Sequence, residues 1–366
     1  MFYFFLEPFI ERLSALNLFN YITFRSAGAF LTSLMITFFI GPCFISLLQK
    51  NNAVEKVNIH APENHAGKNN TPTMGGIFIV LSIFLSSVLW NRLDNYYILY
   101  LYFLMFGFAV IGFLDDYLKN FCGRKEGLSV KAKTVSQLII TFLIVIVIYF
   151  NKDDGGITKL SIPFFKSLTV NIAWFFILFA SFFIFSFSTA VNFTDGLDGL
   201  AAGTVMIAAF ALGIIAYIKG NSFLADYLNM EHLKKSGELL VFLSSMIGTL
   251  AGFLWFNAYP AQVFMGDTGS LTLGGLLALA AVLLREEFCF IIIGGIFVAE
   301  GCSSFIQKYW FKYTRIKSGA GKRFFKKAPL HHHFEETGIP ESKIVARFWI
   351  VAMFLAVLAL SSVKVR

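Results

Sequence analysis

Charge is what this sequence has little of. Asp, Glu, Lys and Arg make up 14% of its 366 residues, against roughly a quarter in soluble domains, and long windows carry none at all, which excludes a water-soluble globule. Cysteine is also scarce. Cys43, Cys289 and Cys302 lie in apolar surroundings and Cys122 in a basic loop, and with no CxxC spacing neither a disulfide framework nor a cysteine-built metal site is expected. No internal repeat at a fixed period stands out. The opening MFYFFLEPFIERLSALNLF carries Glu7 and Glu11 and lacks a basic leader, so it reads as an interfacial or outer-face helix instead of a cleaved signal.

What is present is apolar length. Hydrophobic residues reach 57% and the mean hydropathy is +0.70, far above soluble usage. An α-helix of about twenty residues crosses a hydrocarbon core roughly 30 Å thick. Stretches of that kind cover 22–48, 73–91, 97–117, 132–150, 168–190, 199–218, 239–256, 269–284, 288–308 and 344–362. The expected fold is an all-α polytopic membrane protein of about ten transmembrane helices, forming a single domain over 1–366. In the ninth stretch, GGIFVAEGCSSFIQKYW, Gly294, Gly295 and Gly301 surround Glu300. A charge there cannot face lipid cheaply, so a bent or broken helix with Glu300 turned toward protein or water is expected.

Compact basic clusters such as KNFCGRKEGLSVKAK and KYTRIKSGAGKRFFKKAP fall in the loops 49–72, 114–133, 191–198, 257–268 and 309–343. Lys and Arg are retained on the cytoplasmic side, which puts these loops inside and both termini outside, on the periplasmic face. The net charge of +8 then reads as a basic surface facing anionic lipid or an anionic substrate. Nucleic acid is not an expected partner, because the basic residues are interrupted by apolar spans.

Carboxylates recur on that same side. GFLDDYLKN contributes Asp115 and Asp116, NFTDGLDGL contributes Asp195 and Asp198, and FMGDTGS contributes Asp267. One Asp at a helix end is as readily a cap, but three such motifs on one face favour a site. Neighbours on a helix point about 100° apart, so Asp115 and Asp116 must divide roles. Asp195 and Asp198, three apart, share a face if a helix begins near Thr194. Hard oxygen ligands without clustered cysteine suit Mg²⁺ or Mn²⁺.

Lysines accompany the acids. Lys68 precedes TPTMGG, where Thr71 could cap a helix with Pro72 in its first turn. Lys119 lies one turn after Asp115, and Lys131 and Lys133 open the next span. Acids for a divalent cation and lysines for phosphate point to phosphoryl transfer at a membrane surface. The internal HHHFEE, His331 to Glu336, follows the basic arm Lys308 to Lys327. Three consecutive histidines cannot all reach one metal from a regular helix, so hydrogen bonding to diphosphate or sugar, or proton transfer near neutral pH, is the functional reading, against a solvated polar turn. Phe324 and Phe325 are expected to pin the arm at the membrane surface.

TPTMGG, GFLDDYLK, AVNFTDGLDGL, GFLWFNAYPAQVFMGDTGSL, LLREEF and APLHHHFE together resemble, in order and over almost the entire chain, the phospho-N-acetylmuramoyl-pentapeptide transferases of the polyprenyl-phosphate N-acetylhexosamine-1-phosphate transferase superfamily. The resemblance implies transfer of phospho-N-acetylmuramoyl-pentapeptide from its UDP-activated form to undecaprenyl phosphate, giving lipid I and UMP. It also implies Mg²⁺ as cofactor and a multi-pass location in the bacterial cytoplasmic membrane, with the active-site cleft facing the cytoplasm. Carried over motif by motif, Asp115, Asp116 and Asp267 would be catalytic, with Asp267 the magnesium ligand. Asn192, Asp195 and Phe264 would belong to the uridine region, with Lys68, Lys119, Lys133, Asn257 and Gln307 nearby. His331 and His332 would complete the catalytic set, with His333 on the substrate. Membrane lipid is an implied partner, and a homodimer is left open.

Two other classes compete. A secondary transporter also has many spans and buried acids, but binds near the bilayer midplane, whereas these acids sit at cytoplasmic ends. A relative acting on UDP-N-acetylglucosamine would share the acidic motifs, and PAQVFMGDTGS with APLHHHFE favours the muramoyl-pentapeptide enzyme. Between a phosphoryl-enzyme and direct attack by the lipid phosphate, direct attack is the expected route.

Overall fold

In hydrocarbon every backbone N–H and C=O needs an internal partner, and the apolar runs meet that demand as helices. A computed structural model describes residues 2, 14–51, 71–124, 126–151, 156–165 and 169–365. Most of the opening segment and Lys68 lie outside the described residues; Ser14–Asn20 forms a 3-10 helix. In chain order the helices are α1 Ile22–Lys50, α2 Gly76–Trp90, α3 Tyr96–Asn120, α4 Val130–Phe150, α5 Phe175–Thr194, α6 Leu200–Gly220, α7 Ser222–Tyr227, α8 Gly237–Asn257, α9 Gly266–Leu283, α10 Glu287–Ile293, α11 Gly295–Ser318, α12 Leu330–Glu335 and α13 Glu341–Val365. Among the described residues, eight helices are long and apolar enough to cross a membrane, and the bent pair α10 and α11 makes a further candidate span. Helix α2 has 15 residues, about 22 Å at 1.5 Å per residue, which is short of a full crossing.

Three expected boundaries shift. The stretch from 168 opens as a strand, not a helix: β1 Lys159–Ser161 pairs antiparallel with β2 Thr169–Asn171, so a small hairpin interrupts the all-α pattern, and α5 begins only at Phe175. Thr71 and Pro72 do not open α2, because the chain from Pro72 to Gly76 bonds to another segment first, as described below. The ninth span breaks at Gly294, with 81° between α10 and α11. Glu300 lies inside α11, fully buried, so the break at one of the named glycines and the inward turn are both as expected. Helix α11 also continues to Ser318, making the first half of the basic arm helical.

Helix α9 is the centre. Every residue from Thr268 to Leu283 is buried, and the helix packs chiefly on α3 and α5. Its small residues permit backbone approach of the kind that holds helices together without a solvent-driven hydrophobic effect. The closest approach fixes the site: a Cβ on Gly112 of α3 would lie 2.5 Å from the main-chain oxygen of Asp267. Asp115 and Asp116, the next turn of α3, are thereby carried to the mouth of α9.

Two buried ion pairs lie at the far ends of the helices, where an unpaired charge would be costly. Arg25 of α1 meets Glu238 of α8 at 2.6 Å, and Glu238 also accepts from Asn91 and from the main chain of Arg92. Lys219 pairs with Glu286 at 2.7 Å and donates to the carbonyl of Leu284.

Candidate active site

Asp116 works as the cap of α9. Its Oδ2 accepts the main-chain N–H of Thr268 at 2.9 Å and the Thr268 hydroxyl at 2.6 Å, and its Oδ1 accepts the N–H of Asp267 at 3.1 Å. These are orphan donors of the first turn, where a carboxylate is also favoured by the helix dipole. The left-handed turn that delivers them is Gly266, at φ +72, and a Cβ there would sit 2.8 Å from Asp116 Oδ2.

Asp115 turns the other way, as the helical spacing requires. Its Oδ1 accepts the N–H of Leu128 at 2.7 Å, holding the basic loop between α3 and α4. Its Oδ2 meets Lys119 Nζ at 2.6 Å, one turn along α3. Lys119 then bridges to Asp267 Oδ2 at 2.9 Å, and Lys133 of α4 reaches the same oxygen at 2.6 Å. Asn192, in the last turn of α5, donates to Asp267 Oδ1 at 2.6 Å and to Ser270 Oγ at 2.8 Å. Three helices, α3, α4 and α5, therefore converge on Asp267.

One oxygen from each of Asp115, Asp116 and Asp267 lies within 4.8 Å of the others. A hard divalent cation takes such ligands, keeping the rest of its shell for water and phosphate. The donor set is all oxygen, and two ammonium groups already sit among the carboxylates, so the cluster suits a cation and a polyanion bound together.

The strip 71–76 is laced to the segment leading into α9. Phe264 N–H donates to Pro72 O at 2.8 Å, Gly75 N–H to Phe264 O at 2.8 Å and Gly76 N–H to Met265 O at 2.7 Å. These bonds explain why α2 starts late, and they set Phe264, half-buried, two residues before the α9 N-terminus.

Asp195 and Asp198 do not share a helix face. Helix α5 ends at Thr194 and α6 begins at Leu200, so both lie in the intervening turn, where Gly196 and Gly199 stop the helix. Asp198 is buried and accepts from Ala261 N–H at 3.0 Å, while its own N–H donates to Glu341 of α13 at 2.8 Å. Asn257 braces the same turn: its Oδ1 accepts from Gly199 N–H at 3.0 Å and its Nδ2 donates to Val263 O at 2.8 Å. Asp195 remains half-buried.

The histidines separate. His331 is fully buried and bonds to Glu300; its Nε2 lies against Gly196. His332 Nδ1 pairs with Glu335 at 2.6 Å. Burial holds the His332 pKa below its ordinary 6.5, against the opposing pull of Glu335. His333 Nδ1 accepts the main-chain N–H of Lys326 at 3.2 Å. Gln307 accepts from the N–H groups of Phe324 and Phe325 at 3.0 and 2.9 Å and donates to Phe325 O at 3.3 Å. Both act as braces of the basic arm. A cavity of about 360 Å³ opens beside it, lined by Gln307, Arg323, Lys327, Ala328 and Glu336. The end of α5 links the two halves of the site, since Asn192 holds Asp267 and Gly196, four residues on, abuts His331.

Sequence spacing did not disclose Thr268, Ser270 or Glu335 as partners. The two hydroxyls acquire meaning only once α3, α5 and α9 are packed, whereas Glu335 meets His332 three residues away within α12.

A family model described as Glycosyl transferase family 4 matches residues 98–285, and one described as Phospho-N-acetylmuramoyl-pentapeptide-transferase signature 1 matches 68–80. The chain is 43% identical over 366 residues to the Phospho-N-acetylmuramoyl-pentapeptide-transferase of Desulfovibrio desulfuricans, covering 100% of both chains. It is 44% identical over 367 residues to the protein of that name from Rickettsia bellii, and 45% over 367 residues to that from Oleidesulfovibrio alaskensis, again covering 100% of each chain.

Proposed function

The chain belongs to the phospho-N-acetylmuramoyl-pentapeptide transferase family, and on that premise we propose that it moves phospho-N-acetylmuramoyl-pentapeptide from UDP to undecaprenyl phosphate, releasing UMP and forming lipid I. As a family member it is a glycosyl-1-phosphate transferase of peptidoglycan synthesis with membrane-spanning helices. The observation that carries the finer reading is the meeting of Asp115, Asp116 and Asp267 with Lys119 and Lys133 at helix ends.

The reaction brings two anions together. A phosphate monoester has a second pKa near 6, so the lipid acceptor is already mostly a dianion at pH 7 and needs little help from a base. The obstacle is repulsion, about 4 kcal/mol per pair of unit charges at 4 Å and an effective dielectric of 20. Lys119 and Lys133 exchange their carboxylate partners for phosphate oxygens as the substrates enter. Mg²⁺ held by Asp267, with Asp115 beside it, would supply charge neutralisation at the diphosphate. Asp116 is committed to the α9 N-terminus and Asp115 to Leu128 and Lys119. Neither is a free nucleophile, which favours direct attack by the lipid phosphate on the β-phosphorus. Asp195, Asn192 and Phe264 line the nucleotide side, with Phe264 offering a face to uracil, and His332 completes the wall formed by α12. The Lys- and Arg-rich loops beside the site favour a cleft on the cytoplasmic face of the bacterial inner membrane, with both termini outside.

The test supplies purified protein with Mg²⁺, undecaprenyl phosphate and one UDP-sugar at a time. UMP release with UDP-N-acetylmuramoyl-pentapeptide and none with UDP-N-acetylglucosamine is the expected outcome; the reverse preference overturns the substrate assignment.

A further inference from the structure

Glu300 is a carboxylate inside a membrane-spanning helix pair, and it is wholly buried. Such a group is expensive unless its oxygens are occupied. Both are occupied by one residue. Oε1 accepts the main-chain N–H of His331 at 3.1 Å, and Oε2 lies 3.0 Å from its ring Nδ1. A carboxylate only accepts, so the ring proton of His331 sits on Nδ1.

The other ring nitrogen is the notable one. His331 Nε2 is buried and has no hydrogen-bond partner, although an unpaired buried polar atom costs on the order of 1–3 kcal/mol. It is turned onto Gly196, where any Cβ would overlap it, and Gly196 itself is exposed. A single exposed glycine therefore separates this nitrogen from the surface beside Asp195. The His332 ring, centred 4.2 Å away, packs beside the imidazole and leaves Nε2 free.

We propose that Glu300 is a positioning residue, which fixes the tautomer and orientation of His331 so that Nε2 stands behind the Gly196 turn as an acceptor for an O–H or N–H donor of the bound nucleotide sugar. The turn moves aside by the thickness of one glycine when the donor substrate enters. The inference rests on the site's reading as a nucleotide-sugar transferase for its ligand, but the Glu300 to His331 geometry stands without it.

The test uses full-length protein in detergent with ¹⁵N-labelled histidine. In the wild type the unprotonated nitrogen of His331 is Nε2. In Glu300→Gln the amide oxygen still accepts from the main chain, its NH₂ donates to Nδ1, and the ring proton moves to Nε2. UMP release by that variant falls roughly 10²-fold to 10⁴-fold, the scale seen when a catalytic imidazole is held in the wrong tautomer or a positioned proton-transfer group is lost. Glu300→Asp, which keeps the carboxylate, recovers part of the loss. In a His331→Ala background Glu300→Gln adds no more than about a twofold further loss, because residues acting as a unit are not additive. An unchanged tautomer in Glu300→Gln overturns the proposal, as does a full further loss in the His331→Ala background. If wild-type protein releases no UMP from any UDP-sugar, the functional reading falls, and the tautomer measurement still decides the role of Glu300.

Discussion

Asp116 and Thr268 are joined twice, through the main-chain N–H at 2.9 Å and the hydroxyl at 2.6 Å, both on one carboxylate oxygen. This bond pair ties the C-terminal end of α3 to the first turn of α9, and so fixes where Asp267 stands. Asp116 is in this respect a builder of the site as much as a member of it.

Asp116→Asn therefore lowers stability as well as activity. The amide keeps one acceptor oxygen and turns a donor toward the N–H groups of Asp267 and Thr268, at a cost of roughly 1–3 kcal/mol. Thermal unfolding in detergent, monitored by circular dichroism, checks this. A melting temperature equal to wild type contradicts the capping role.

The acids and their lysines were legible in the sequence because charges at the ends of apolar runs have few explanations. Glu300 was legible for the same reason. The pairing of Asp116 with Thr268 was not, since it depends on Gly112 letting two backbones touch, and nothing local to GDTGS announces that contact. The Asp195 and Asp198 spacing misled because three-residue spacing shares a face only where a helix continues, and Gly196 with Gly199 end it. The hairpin was hidden inside an apolar run, where TVN reads as the start of a span although its β-branched residues suit a strand.

His332 offers a pH signature. Burial depresses its pKa below 6.5, so the folded state binds a proton less readily than the unfolded one. The stability this contributes is fully present above pH 6.5 and is lost as pH falls through the lowered folded value. Ring titration by NMR is expected to give a midpoint below 6.5, and a midpoint above it contradicts the account.

At the opposite end, Glu238→Gln leaves Arg25 buried with half its partner gone. Breaking a buried pair costs roughly 3–5 kcal/mol, while the substrate cleft is untouched. A lower denaturation midpoint with unchanged KM for the nucleotide sugar is expected; a changed KM at full stability would speak against a structural role.

Direct attack predicts that enzyme given nucleotide sugar and Mg²⁺ but no lipid acceptor releases no UMP in the first turnover. Rapid-quench measurement reads this. A burst stoichiometric with enzyme, with label retained on an Asp, establishes a phosphoryl-enzyme instead.

On the proposed function, Asp267, held by Lys119, Lys133 and Asn192, is the point at which a divalent cation and the diphosphate meet. The most direct measurement is Mg²⁺-dependent UMP release from UDP-N-acetylmuramoyl-pentapeptide and undecaprenyl phosphate by wild type and by Asp267→Asn, with folding of both verified by thermal unfolding. The account predicts a folded variant whose turnover falls at least roughly 10²-fold, as for removal of a group that stabilises transition-state charge. Near-normal Mg²⁺-dependent turnover in Asp267→Asn would contradict it.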